Sequence, residues 1–111
     1  MPVAPKSSTG LDDNVAAMLA YLGGAISGIV LLVLEKQSRY VRFHAMQSTI
    51  TFLLVLVIHL VLMGTPVVGW VLVVPFIIAV AVLWLYLMFK AFRGQTYKLP
   101  YIGDWAERQL G

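Results

Sequence analysis

Three stretches of this chain, residues 15–34, 45–63 and 67–89, are almost wholly apolar. A hydrocarbon layer ~30 Å thick is crossed by about 20 helical residues at ~1.5 Å apiece. Each stretch meets that length, so the pattern predicts an all-α integral membrane protein with three transmembrane helices. Composition agrees, since 60% of the residues are hydrophobic and only 12% are charged. A soluble chain keeps its surface wet with roughly a quarter charged residues. The 111 residues leave room for one domain.

The segments around the apolar blocks divide the chain. Residues 1–13 are rich in Pro, Ser, Thr and Gly and lack the charged start and immediate apolar core of a signal peptide, so they read as a flexible tail. Residues 14–93 form the transmembrane domain, with Asp12 or Asp13 placed to cap its first helix. Gly64-Thr65-Pro66 is so short that helices two and three are expected to form a tight antiparallel hairpin. Pro75 falls inside the third helix, where a kink is expected. Gly94-Gln95-Thr96 ends that helix, and residues 94–111 read as an interfacial tail. Asp104 followed by Glu107 resembles a helix start in this tail, with Trp105, Ala106 and Leu110 able to dip into the interface.

Charge gives the spans a direction. The first loop carries Lys36, Arg39 and Arg42, and the tail carries Lys90, Arg93, Lys98 and Arg108, against Lys6 alone on the other side. By the positive-inside rule the tail is cytoplasmic and, with three spans, the N-terminus is outside a cell inner (plasma) membrane. The net charge of +3 is spread over chain ends and a loop rather than one basic face. That distribution suits anionic lipid head groups and not nucleic acid. The chain has no cysteine, hence no disulfide or thiolate chemistry.

Two sets of residues stand out within the blocks. Ala16, Ala20, Gly24 and Gly28 recur at intervals of four, a small-residue face for close helix packing within the monomer or between chains. The plainer reading is that glycine is common in membrane helices. In the second block His44, Gln47, Ser48 and Thr51 fall on one face, next to Glu35, Arg39 and Arg42, and His59 extends the face about three turns. Polar groups in lipid are costly, so this face should meet protein or water. It is either a polar cleft or a set of interhelical hydrogen bonds. His59 has Val55 rather than a small residue four positions earlier, which leaves little room for a macrocycle. No cofactor and no metal set is expected. The five acids lie at helix ends or in tails, and no nucleophile, base and acid converge, so no enzymatic active site is expected.

Several fragments together resemble a known family. They are Asn14-Val15-Ala16-Ala17-Met18-Leu19-Ala20-Tyr21-Leu22, Glu35-Lys36, Tyr40-Val41-Arg42-Phe43-His44-Ala45-Met46-Gln47-Ser48, and Gly94, Tyr97, Leu99-Pro100 and Ile102-Gly103. In this order they are similar to the Tic20-like family of small prokaryotic membrane proteins of unknown function, distantly similar to the chloroplast Tic import component. The resemblance implies a helical membrane fold, points to Glu35, Arg42, His44 and Gln47, and brings no activity or cofactor. Two functions follow as expectations. One is a non-catalytic interaction or accessory subunit, homo-oligomeric or bound to other membrane subunits. The other is an oligomeric channel or transport component related to import translocons.

Overall fold

The computed structural model describes residues 8–110, which form five α-helices. These are α1 (Asp13–Leu22), α2 (Ala25–Leu34), α3 (Arg39–Met63), α4 (Val68–Phe92) and α5 (Ile102–Gln109). The helices α3 and α4 have 25 residues each and are long and apolar enough to cross a membrane. They are antiparallel, joined by Gly64–Val67. The turn is as tight as its sequence requires, because a Cβ at Gly69 would collide with the Leu62 carbonyl. Trp70 Nε1 donates to the Met63 carbonyl across the same turn at 3.1 Å. Helix α4 runs unbroken through Pro75.

The first apolar block departs from the expected span. It is two ten-residue helices, broken at Gly23-Gly24. At ~1.5 Å per residue each is about 15 Å long, half of a bilayer core. Gly24 turns the chain with φ 64° and ψ −136°, a conformation side chains with a Cβ rarely adopt. Contacts with α3 fix the direction of each arm. Going outward along α1, Asp13 meets Ser38 and Tyr21 meets His44 and Gln47. Beyond the break, Gly24 lies beside Phe52, then Gly28 beside Ala45 and Thr49, and the Leu32 carbonyl accepts from Arg42. So α1 runs parallel to the first half of α3, and α2 runs back along it. Residues 13–34 form a half-depth hairpin with both ends at the end of the molecule that carries Arg39, here termed the basic end.

Ser8, the first described residue, lies at the same end of the molecule as the tail, where three full spans would set them at opposite ends. The backbone N–H of Ser8 donates to both carboxylate oxygens of Glu35, at 3.0 and 2.9 Å, so Ser8 lies at the basic end with the tail. The charge count could not reveal it, because only Lys6 was assigned to the other side. Lys6, with most of the expected flexible tail, lies outside the described residues. Of that segment, residues 8–13 are placed, and Asp13 already belongs to α1.

The small-residue face is used inside the monomer, on both arms. Ala16 and Ala20 of α1 are fully buried, Gly24 is the turn, and Gly28 of α2 presses on α3. The core therefore sits in the basic-end half, where Ala17 and Tyr21 pack with Leu87, Ala91 and Leu99, and Ala20 with Leu31 and Ala45. Beyond Ile58 only α3 and α4 remain among the described residues, and Leu60, Val71 and Val74 are exposed on them. Helix α5 runs back along the first half of α3, from beside Leu54 and Val57 to beside Arg39, and Tyr101 precedes it without a side-chain cap. The expected capping role of Glu107 is replaced by an ion pair with Lys98.

A Cβ at Gly28 would come within 2.8 Å of Thr49 Oγ1 and 2.9 Å of the Ala45 carbonyl. Gly28→Leu should force α2 off α3 and cost about 1–3 kcal/mol, as overpacking does. Thermal unfolding in mild detergent should show a lowered midpoint, whereas Val33→Leu on the exposed side of α2 should leave it unchanged.

Candidate functional site

The polar residues of α3 lie at the basic end, buried between the hairpin, α4 and the chain that follows α4. His44 and Gln47 are fully buried. His44 Nε2 is 3.1 Å from the Gln95 carbonyl, which only accepts, so Nε2 carries the proton. Nδ1 is then the acceptor for the Tyr21 hydroxyl at 2.6 Å. Gln47 Nε2 donates to the Tyr21 oxygen and to the Tyr97 carbonyl, both at 2.9 Å, and its Oε1 accepts from the Leu99 N–H at 3.0 Å. The outcome is a closed layer in which a neutral imidazole, a phenol and an amide all find partners. Three backbone groups of residues 95–99 complete it, so this segment is strapped into the bundle. Gly103 permits the close passage, since a Cβ there would meet Lys98 and Gln47 Oε1.

One turn further out, the polar groups serve the hairpin tip. Ser48 Oγ donates to the Gly24 carbonyl at 3.1 Å. Ser27 Oγ donates to the Ala20 carbonyl at 3.0 Å and accepts from the Gly23 N–H at 2.8 Å. Trp84 Nε1 of α4 donates to the Tyr21 carbonyl at 2.7 Å. The broken backbone is thus held by three side chains from three helices. Thr51 is buried beside this tip, and its hydroxyl has no partner among the described residues.

At the surface of the basic end, Glu35 and Arg42 close the loop between α2 and α3. The Glu35 carboxylate accepts from the N–H groups of Ser8, Gln37 and Ser38. The covering segment shuts it off from solvent although it lies shallow. Desolvation alone would raise its pKa, but the hydrogen bonds from Ser38, Ser8 and Gln37 together outweigh it and hold the carboxyl down at about 2. Arg42 donates to the Glu35 and Leu32 carbonyls at 2.7 and 3.2 Å, satisfying the last turn of α2. Arg39 stands apart, in a shallow polar depression with Asp104, Glu107 and Arg108.

The expected polar face therefore divides. Glu35 and Arg42 hold the loop, His44 and Gln47 hold the strap, Ser48 holds the hairpin, and Arg39 faces out. His59 belongs to none of these, because it sits fifteen residues beyond His44, about 22 Å along α3. It lines an apolar crevice with Phe52, Val55, Phe76 and Val80. Sequence reasoning missed Tyr21 and Tyr40. A hydroxyl in the middle of an apolar block was the available signal for Tyr21, since it needs a partner in lipid. Tyr40 donates to the Ala91 carbonyl at 2.6 Å and Asn14 to the Phe92 carbonyl at 3.0 Å, so both cap the end of α4.

Comparison with known proteins places this arrangement in a family. Residues 12–106 match the model of a family described as the magnetosome magnetite crystal formation protein family. A UPF0132 membrane protein of Methanocaldococcus jannaschii is 45% identical over 103 residues, covering 93% of this chain and 93% of the relative. A second from the same organism is 46% identical over 99 residues, covering 89% of this chain and 71% of that protein. One from Archaeoglobus fulgidus is 46% identical over 102 residues, covering 91% of this chain and 98% of the relative. No solved structure matches.

Gln47→Leu leaves the Tyr97 carbonyl and the Leu99 N–H without partners. Amide exchange at Leu99 should rise by at least about tenfold, corresponding to roughly 1.4 kcal/mol of lost protection. For Glu35 the folded pKa lies below the ordinary 4.5, so its contribution is complete above 4.5 and is lost as pH falls through about 2. Exchange at Ser8 and Ser38, corrected for intrinsic pH dependence, should therefore stay slow at neutral pH, accelerate as pH falls from 4.5 toward about 2, and level off below that. Glu35→Gln should show the accelerated exchange at neutral pH.

Proposed function

This chain belongs to the magnetosome magnetite crystal formation protein family, as that family is described, and on that premise we propose that it is a non-catalytic accessory subunit of a membrane assembly. The observation that carries this reading is the spending of the polar groups. His44, Gln47, Ser48, Glu35 and Arg42 all bond the chain's own backbone, and the Tyr21 hydroxyl ties His44 to Gln47. What the chain offers outward is apolar surface on α3 and α4 and basic side chains at one end. Those suit neighbouring membrane helices, or a second copy, and anionic lipid head groups. The family's description concerns magnetite. Here Glu35 is held by the N–H groups of Ser8, Gln37 and Ser38, and Glu107 pairs with Lys98.

The same reading sets the orientation. Seven basic residues, Lys36 to Arg108, share one end with Ser8, which makes that end cytoplasmic and both termini cytoplasmic with it. The transport alternative, with its Tic20-like resemblance, relied on His44, Gln47, Ser48, Thr51 and His59 lining one path. It loses support because the first three face inward to protein partners and His59 stands apart from them.

Native mass spectrometry of gently solubilised membranes should find the chain with itself or with other membrane subunits. Recovery as a free monomer alone would sink the accessory role. The absence of native cysteine allows single-cysteine mapping with an impermeant maleimide on intact cells. Thr65→Cys should label from outside and Leu11→Cys and Gln37→Cys should not. External labelling of Leu11→Cys would return the N-terminus to the outside.

A further inference from the structure

The hairpin gives the molecule different widths at its two ends, and the difference falls at mid-membrane. Its tip, Gly23-Gly24, lies beside Ser48 and Phe52, about halfway along the 25 residues of α3. From there to the basic end the cross-section holds α3 and α4, the two arms of the hairpin and α5. Beyond Ile58, where the turn at residues 99–102 also ends, it holds two among the described residues. At ~10 Å per helix diameter, the hairpin adds roughly 150 Å² of cross-section to one leaflet and none to the other.

The hairpin belongs in the acyl layer rather than in water. The side of α2 turned away from α3 carries Ile26 at 77% exposure, with Ile29, Val30, Val33 and Leu34 also exposed. Its break is satisfied by Ser27, Ser48 and Trp84, as backbone in lipid must be. Helix α5 adds to the same asymmetry. It runs back along the same half of α3, with Tyr101 and Trp105 exposed beside Ile50, Leu53, Leu54 and Val57 and with Glu107 and Arg108 beside Arg39.

We propose that the protein is a membrane wedge that favours bilayers whose basic-end leaflet is the convex one. Inserted area in a single leaflet expands that leaflet relative to the other, and the mismatch is relieved by bending toward the expanded side. The partner is thus a lipid surface of positive curvature. The property belongs to the single chain and does not depend on the accessory role.

The test uses the full chain carrying Thr65→Cys with a fluorophore. It is reconstituted sparsely into tethered phosphatidylcholine vesicles containing about 20% phosphatidylglycerol, from about 50 to about 400 nm across. An impermeant quencher separates molecules with the basic end outward, whose Thr65→Cys label is protected, from those inserted the other way. The surface density of the protected class should rise at least about threefold from the largest to the smallest vesicles, while the quenched class falls. Equal densities across sizes, or a rise in both classes alike, would overturn the wedge. Trp105→Ser separates the two contributions without touching the hairpin. The gradient should largely persist in that variant, and its abolition would transfer the effect to α5 and overturn the assignment to the hairpin.

Discussion

A peptide chain that reverses direction in the middle of a bilayer must satisfy its own broken hydrogen bonds there, because lipid supplies no partners. The rest of this structure follows from that demand. Gly23-Gly24 interrupts the helix, and the groups released are met by Ser27 from the hairpin itself, Ser48 from α3 and Trp84 from α4. Each of those helices must then lie within reach of the tip. Alanines at 16, 17 and 20 and the glycine at 28 allow the approach, being too small to keep the helices apart.

The polar layer below the tip applies the same physics to side chains. A histidine, a glutamine and a tyrosine buried together are costly unless every donor and acceptor is matched. Here the match is completed by backbone from residues 95–99. Functionally, the layer behaves as a clasp. It joins hairpin, spanning helix and tail into one unit.

How much of this was legible in the sequence follows from which signals are local. Hydropathy and length identified α3 and α4 well, and the polar face at His44 and Gln47 announced that something protein-like would cover it. The first block misled because a half-depth hairpin and a full span have the same composition and total length. Charge could not separate them, as both topologies place Lys36, Arg39 and Arg42 with the tail. The distinguishing marks were small: adjacent glycines at the centre, Ser27 four residues on, and a tyrosine hydroxyl next to the break. The covering of the polar face was less legible still, since its partners are the main-chain groups of Gln95, Tyr97 and Leu99, which any sequence would supply.

The strap has a consequence for the order in which the molecule is built. His44 and Gln47 enter the membrane while residues 95–99 are still inside the ribosome, more than fifty positions behind the imidazole. Until that segment emerges and packs beside α3, the glutamine and the histidine lack three of their five hydrogen bonds. The nascent chain is therefore an incomplete, loosely held intermediate that becomes sealed only in its last stage. A chain stalled after α4 would display buried polarity to the membrane's quality-control proteases, and a finished one would hide it.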